Sequence, residues 1–361
     1  MTNENLSNAK KAKNDEFYTQ FYDIENEMNA YLDFDKDVFR DKTILLPCDD
    51  PEWSNFTKYF ALRFDELGIK KLISTSYAPD SKTVKMLTQP TLFETSSPLF
   101  DERKSRANGK IFTLERDPSN SSRIDIENLK WNYLDGDGDF RSAEICKLRD
   151  EADIIITNPP FSLFREFIAW IFNAQKKFAI IGNKNAITYK EVFPRIKDNQ
   201  MWLGKGFQGA AYFRTANTEN LSSSFYDSKA NLVNISAVWF TNIEHGRRHE
   251  PLSLMTMADN IKYSRHKEVK DIGYKKYDNY DAIEVPFTDA IPDDYEGVMG
   301  VPISFLSKYN PEQFELLGSR RWGKNEELQS LYRGNKTALT EKALYVNGKE
   351  IFDRIFIKYR G

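Results

Sequence analysis

Between residues 40 and 200, two rhythms of apolar and polar positions alternate along the chain. Short apolar runs, Thr43-Ile-Leu-Leu46, Lys71-Leu-Ile-Ser-Thr-Ser-Tyr77, Ile154-Ile155-Ile156 and Lys177-Phe-Ala-Ile-Ile-Gly182, have the length and β-branched content of strands buried on both faces of a sheet. Between them lie stretches with helical spacing: 56–64 behind Ser54 and Asn55, 143–151, and 162–171 with Ser162 in the N-cap place. The alternation predicts an α/β fold, doubly wound around a mostly parallel sheet. Helices are also predicted at 24–34 and 190–197, and strands at 200–203, 211–213 and 231–241. Residues 78–125 are charged and rich in Ser, Thr, Pro and Asn, and read as an insertion with a hairpin about 109–114. From about 245 the rhythm breaks. The expected division is a flexible arm at 1–15, a main domain at 16–244 and a C-terminal α+β region at 245–361.

Composition narrows the setting. A length of 361 residues supports a large core and about two domains, and 40% hydrophobic with 14% aromatic content is globular. The net charge of −3 gives no global basic field but leaves room for a local basic face. Two cysteines, Cys48 and Cys146, make no disulfide framework, which fits a reducing cytoplasm. Three histidines without a Cys or His cluster argue against structural zinc, and neither a signal core nor a membrane-spanning apolar run is present. The expectation is a soluble, cytoplasmic protein.

The chemistry concentrates where the third apolar run ends, in Asn158-Pro159-Pro160-Phe161. Neither proline donates a backbone hydrogen bond, and Pro160 holds Pro159 extended. A strand, a stiff polar corner, an aromatic ring and a helix follow in order, which places an amide and a carbonyl at the carboxyl edge of a sheet, where open α/β folds bind ligands. The Asn158 side-chain oxygen and the Pro159 carbonyl together suit one exocyclic amino group, and Phe161 offers a face to a planar base. This is the motif of amino-methyltransferases; the plain alternative is a strand-to-helix turn with two incidental prolines.

Other segments supply a cofactor corner. Pro47-Cys48-Asp49-Asp50-Pro51 replaces the usual glycine-rich turn after the first strand, and Asp49 or Asp50 is placed to bind a cofactor amino group. Ser76, at the end of the second strand, is placed for ribose hydroxyls. Asp139 in Asp135-Gly-Asp137-Gly-Asp139-Phe140 is an acceptor for an adenine amine, with Phe140 to stack on that ring; a calcium loop is the competing reading, and it lacks the bidentate Glu of an EF-hand. Phe17-Tyr18-Thr19 resembles the segment that closes over the methionine carboxylate of S-adenosylmethionine in methyltransferases, or else is an aromatic pair that pins the next helix to the core. Basic residues interleave with aromatics in the C-terminal region, at Arg247, Arg248 and His249, at Lys262-Tyr-Ser-Arg265-His266-Lys267, at Lys275-Lys276, and at Arg320-Arg321-Trp322-Gly323-Lys324. They suit phosphate contact and base-edge reading, against a background of ordinary solvated charge.

Glu16-Phe17-Tyr18-Thr19, Pro47-Cys48-Asp49-Asp50-Pro51-Glu52-Trp53-Ser54-Asn55-Phe56, Gly138-Asp139-Phe140-Arg141-Ser142 and Asn158-Pro159-Pro160-Phe161 together resemble the EcoRI-type adenine-specific DNA methyltransferases. The similarity extends through Gly182-Asn183-Lys184-Asn185-Ala186 and Val301-Pro302-Ile303-Ser304-Phe305. The resemblance implies an S-adenosylmethionine-dependent methyltransferase domain at 16–244 and a target-recognition region at 245–361. It implies methylation of the adenine N6 amine in double-stranded DNA with base flipping, in restriction–modification or as a solitary methylase. It further implies a monomer with no obligate protein partner, acting without a metal in a bacterial cytoplasm. Methylation of RNA or of a protein glutamine uses the same corner and stands as an alternative, as does a catalytically silent DNA-binding module.

Overall fold

The structure is a computed structural model that describes residues 18–78, 95, 98–116, 131–207, 211–214, 226–227, 232–319, 326–333 and 343–361. The chain forms two compact units, one from residues 1–186 and 204–244, the other from 187–203 and 245–361.

The first unit opens with strand β1 (Tyr18–Thr19) and helix α1 (Phe21–Phe34). Then follow β2 (Thr43–Leu46), α2 (Asn55–Leu62), β3 (Lys71–Thr75), the short α3 (Lys104–Ala107), β4 (Lys110–Glu115) and β5 (Trp131–Tyr133). After these come α4 (Ala143–Glu151), β6 (Ile154–Thr157), α5 (Phe164–Asn173) and β7 (Lys177–Asn183). Strands β8 (Ala211–Arg214), β9 (Tyr226–Asp227), β10 (Leu232–Ile235) and β11 (Ala237–Thr241) complete the unit.

Within this unit the large sheet runs β5-β4-β3-β2-β6-β7-β11. Its centre is parallel, with Ile44 in register with Leu72 on one side and Ile154 on the other. All four residues of β2 and all four of β6 are buried, as continuous apolar runs between two layers must be. The sheet is not mostly parallel, however. Three pairings are parallel (β2–β3, β2–β6, β6–β7) and three antiparallel (β3–β4, β4–β5, β7–β11). Two of the antiparallel pairings come from the stretch read as an insertion. Residues 110–115 do not form a separate hairpin; they return as β4 alongside β3, with Phe112 opposite Ser74. A second correction concerns Ser162. Residues 161–163 make one 3-10 turn and α5 starts at Phe164 without a side-chain cap, because the extended Pro160 carbonyl already accepts from Leu163 N at 3.0 Å.

The chain leaves β2 toward β3 and later returns to β6 on the other side of β2. Their carboxyl ends therefore flank the point where strand order reverses, the crevice in which open α/β sheets bind ligands. Beneath it lies an aromatic-rich core containing Phe56, Tyr59, Phe60, Phe112 and Trp239. A smaller antiparallel sheet, β1-β8-β10-β9, brings the N-terminal strand beside β8.

The second unit has a five-stranded sheet with outer strands Lys275–Lys276 and Phe314–Gly318, and a hairpin of Leu344–Val346 with Lys349–Ile351. Residues 187–203, expected in the main domain, belong here: Trp202 lies under the Arg248 guanidinium and the Leu203 carbonyl meets His245. No helix among the described residues is long and apolar enough to cross a membrane.

Candidate active site

Asp49 stands at the centre of the strand-end crevice. It follows β2 and is 5% exposed. One carboxylate oxygen accepts from Ser54 Oγ at 2.7 Å and the other from Thr157 Oγ1 at 2.6 Å. Ser54 is also the N-cap of α2, accepting from Phe56 N, so one hydroxyl serves both the helix and the acid. The Asp49 backbone is clamped to β3, donating to the Thr75 carbonyl and accepting from Ser74 Oγ. Burial pushes the Asp49 carboxyl up to about 7, against the Thr157 and Ser54 hydrogen bonds that pull it down. Burial, then the charge of Asp49, push the neighbouring Cys48 thiol up as well. The Thr75 hydroxyl donates to the Pro47 carbonyl, fixing the start of the same turn. Asp50 builds the rest of it, its side chain accepting from Glu52 N and Trp53 N.

Thr157 is the last residue of β6, so the Asp49 carboxylate grips the strand one residue before Asn158. Asn158 in turn reaches the N-terminal segment: its Nδ2 is 3.4 Å from Thr19 Oγ1, and Asn55 Nδ2 donates to the Thr19 carbonyl at 2.8 Å. Pro159 is buried behind the corner, Pro160 is half-buried, and the half-buried Phe161 packs against the core. The structure thus joins segments far apart in sequence, bringing Thr19, Asp49 and Asn158 together. Thr157, Ser54 and Asn55 were not read as site residues. Their signal was available only as hydroxyl and amide side chains at the ends of buried runs.

Other predicted residues find different surroundings. Tyr18 lies next to Thr19 but points to the opposite face of β1 and is exposed; Phe17 lies outside the described residues. The Ser76 hydroxyl accepts from Lys110 N, so it is turned toward β4. The Ser76 carbonyl instead faces the Asp-Gly-Asp-Gly-Asp turn, where Gly138, with φ +82°, comes so close that a Cβ would lie 2.2 Å from that oxygen. Glu144 holds this turn by accepting from Asp135 N and Gly136 N. The Asp139 carboxylate accepts from Arg141 Nε and Nη2, which holds its carboxyl below the usual range. Phe140 is 5% exposed and packs edge-on against Phe167 and Trp170 on the apolar side of α5, so its ring is committed to the core. No group of three or more potential metal-ligating side chains occurs among the described residues.

Of the basic residues, Arg248 is 9% exposed; its guanidinium lies 3.8 Å from the Trp202 ring centre and donates to Asn199. Arg247 is half-buried, and Arg320, Arg321 and Lys324 lie outside the described residues.

Comparison with known proteins converges on one family. The sequence model described as adenine-specific methyltransferase EcoRI matches residues 5–360. The Type II methyltransferase M.EcoRI of Escherichia coli is 41% identical over 99% of this chain and 97% of its own length. The Type II methyltransferase M.MpnI of Mycoplasma pneumoniae is 33% identical over 86% of the chain and 84% of its own length. M.MgeORF184P of Mycoplasma genitalium, also a Type II methyltransferase, is 32% identical over 98% of each chain. No solved structure matches. The chain belongs to the EcoRI family of adenine-specific methyltransferases.

Proposed function

We propose that this DNA adenine methyltransferase acts on the N6 amine of an adenine flipped out of duplex DNA and held at the Asn158 corner. The observation that carries the reading is the continuous set of hydrogen bonds from Ser54 through Asp49 and Thr157 to the strand end, and from Asn158 to Thr19. It fixes an amide and a proline carbonyl at the sheet edge before any substrate arrives, and such preorganisation is where positional catalysis gains its rate.

Asn158 Nδ2 is directed at the Thr19 hydroxyl, and in this reading Oδ1 is the acceptor end. Asn158 Oδ1 and the Pro159 carbonyl accept from the two N6 hydrogens and hold those protons as they become acidic. Phe161 stacks on the base. Flipping costs about a few kcal/mol of stacking and pairing, which these contacts offset.

The donor set at the strand ends fits S-adenosylmethionine. The close approach of Gly138 to the Ser76 carbonyl draws the Asp139 turn against the end of β3, and the carboxylates of Asp49, Asp50 and Asp139 are acceptors for ammonium, amine and hydroxyl groups. Pro47, Cys48 and Ser76 border the same ends, Thr19 is joined to them through Asn158 and Asn55, and Phe140 is the wall behind Asp139. When bound, S-adenosylmethionine supplies a methyl group activated by its sulfonium.

In this reading residues 16–186 and 204–244 of the first unit form the catalytic domain and the second unit, 187–203 and 245–361, the target-recognition region, in a monomer that serves restriction–modification or works alone in the cytoplasm. Its test offers labelled S-adenosylmethionine with duplex DNA, RNA and protein in separate reactions. Label in DNA, recovered as N6-methyladenine, is the expected result; label confined to RNA or protein contradicts it.

A further inference from the structure

The small antiparallel sheet presents a face that the reaction at Asn158 does not use. In β1, Thr19 pairs with Phe213 and points inward, so Tyr18 and its partner Arg214 share the outer face. Tyr212 lies two residues from Arg214 on that face and pairs with Asn234. Tyr18 is 37% and Tyr212 45% exposed, and Arg214 is exposed. Residues paired or diagonal on one sheet face lie within about 8 Å, so two aromatic rings and a cation form one cluster.

The sheet is anchored through Phe213 of β8. Its ring centre lies 5.6 Å from that of Phe207, and Phe207 in turn stacks on Trp239 with ring planes 12° apart. Gln20 Nε2 donates to the Tyr212 carbonyl, tying the end of β1 to β8. A rigid platform therefore begins one residue from Thr19, whose hydroxyl meets Asn158.

We infer that Tyr18, Tyr212 and Arg214 bind the DNA strand immediately flanking the flipped adenine, Arg214 on a phosphate and the tyrosines against the unstacked neighbouring base. This rests on the reading that the adenine is received at Asn158. Once a base has left the stack, its neighbours on the same strand lose a stacking partner, and exposed aromatics beside a cation are how proteins hold such a segment. Continuity with the Asn158 corner and the positive charge of Arg214 select this occupant; an ordinary solvated strand face is what the test must separate from it.

The test uses the full chain and a short duplex of scrambled sequence beside one carrying the methylated site. Arg214→Gln is expected to weaken both duplexes several-fold and to make the slope of log affinity against log salt shallower by about 0.9, the signature of one lost phosphate contact. Tyr212→Leu is expected to lose about tenfold in affinity for the site-bearing duplex, with Tyr212→Phe restoring it. Binding of S-adenosylmethionine and the unfolding midpoint stay as in the wild type, showing an intact fold. An unchanged salt slope in Arg214→Gln, or wild-type affinity in Tyr212→Leu, overturns the proposal. Asn158→Ala separates the two readings: full turnover in that variant removes the corner assignment, whereas lost turnover with retained DNA affinity leaves the corner standing whatever the Arg214 and Tyr212 variants show.

Discussion

Asp49 at the strand ends and Glu284 in the C-terminal unit are both carboxylates removed from most solvent, and the chain compensates them in opposite ways. Glu284 receives a cation: Arg354 donates to it through Nε and Nη2, and the Tyr277 hydroxyl adds a third bond. Asp49 receives two neutral hydroxyls, from Ser54 and Thr157, and its carboxyl is pushed up to about 7. A buried ion pair keeps its charge and holds two segments together. A carboxyl held by hydroxyls, with its pKa raised by burial, is poised between charge states, a pattern that clusters at functional sites.

The contrast can be broken at several strengths. Arg354→Ala leaves Glu284 buried beside a tyrosine without its cation, and the expected loss is about 3–5 kcal/mol by urea unfolding; a loss under about 1 kcal/mol would mean that water reaches the pair. Thr157→Val keeps the shape of β6 but removes one donor from Asp49. It should cost about 1–3 kcal/mol and lower kcat more than it raises KM, since Asn158 follows directly; wild-type kinetics would show that the grip on β6 does not position the amide.

The pH dependence of Asp49 sharpens the contrast further. Its folded pKa, about 7, lies above the unfolded value near 4, so the native state binds more protons in that window. Asp49 therefore favours folding most at low pH, and this contribution is lost as pH rises through about 7. Asp49→Asn should flatten that part of the decline in a series of urea midpoints between pH 4.5 and 8; an identical slope in both proteins contradicts the assignment. The smallest effect belongs to the exposed pair of Arg141 and Glu166, 2.8 Å apart. Glu166→Gln should change stability by less than about 1 kcal/mol, and less again at high salt.

The first unit was the more legible part of the chain, for a physical reason. Parallel strands buried on both faces must be apolar throughout, so residues 43–46, 154–157 and 177–183 announce themselves, and α4 has the predicted bounds of 143–151. Asn158 and Asp49 stood out because a proline-locked corner and an acidic turn close two of these runs. The bond from Asp49 to Thr157 did not, because 108 residues separate them and only strand order makes them neighbours. Strand β4 was misread because a half-exposed antiparallel strand, flanked by polar segments, looks locally like a loop hairpin. Phe140 was read as a stacking face for a cofactor ring and the basic cluster at 247–248 as phosphate contacts, yet Phe140 and Arg248 both found aromatic partners inside the fold. The C-terminal unit, built largely on strands of two and three residues, offers too little periodicity for any pattern to register.

The central claim, that the Asn158 amide holds the adenine amine, is tested most directly by Asn158→Ala in a methyl-transfer assay on duplex DNA, with S-adenosylmethionine binding measured by calorimetry on the same preparation. Loss of methylation by several orders of magnitude, with cofactor affinity near the wild-type value, is the outcome expected. Methylation at the wild-type rate would contradict it.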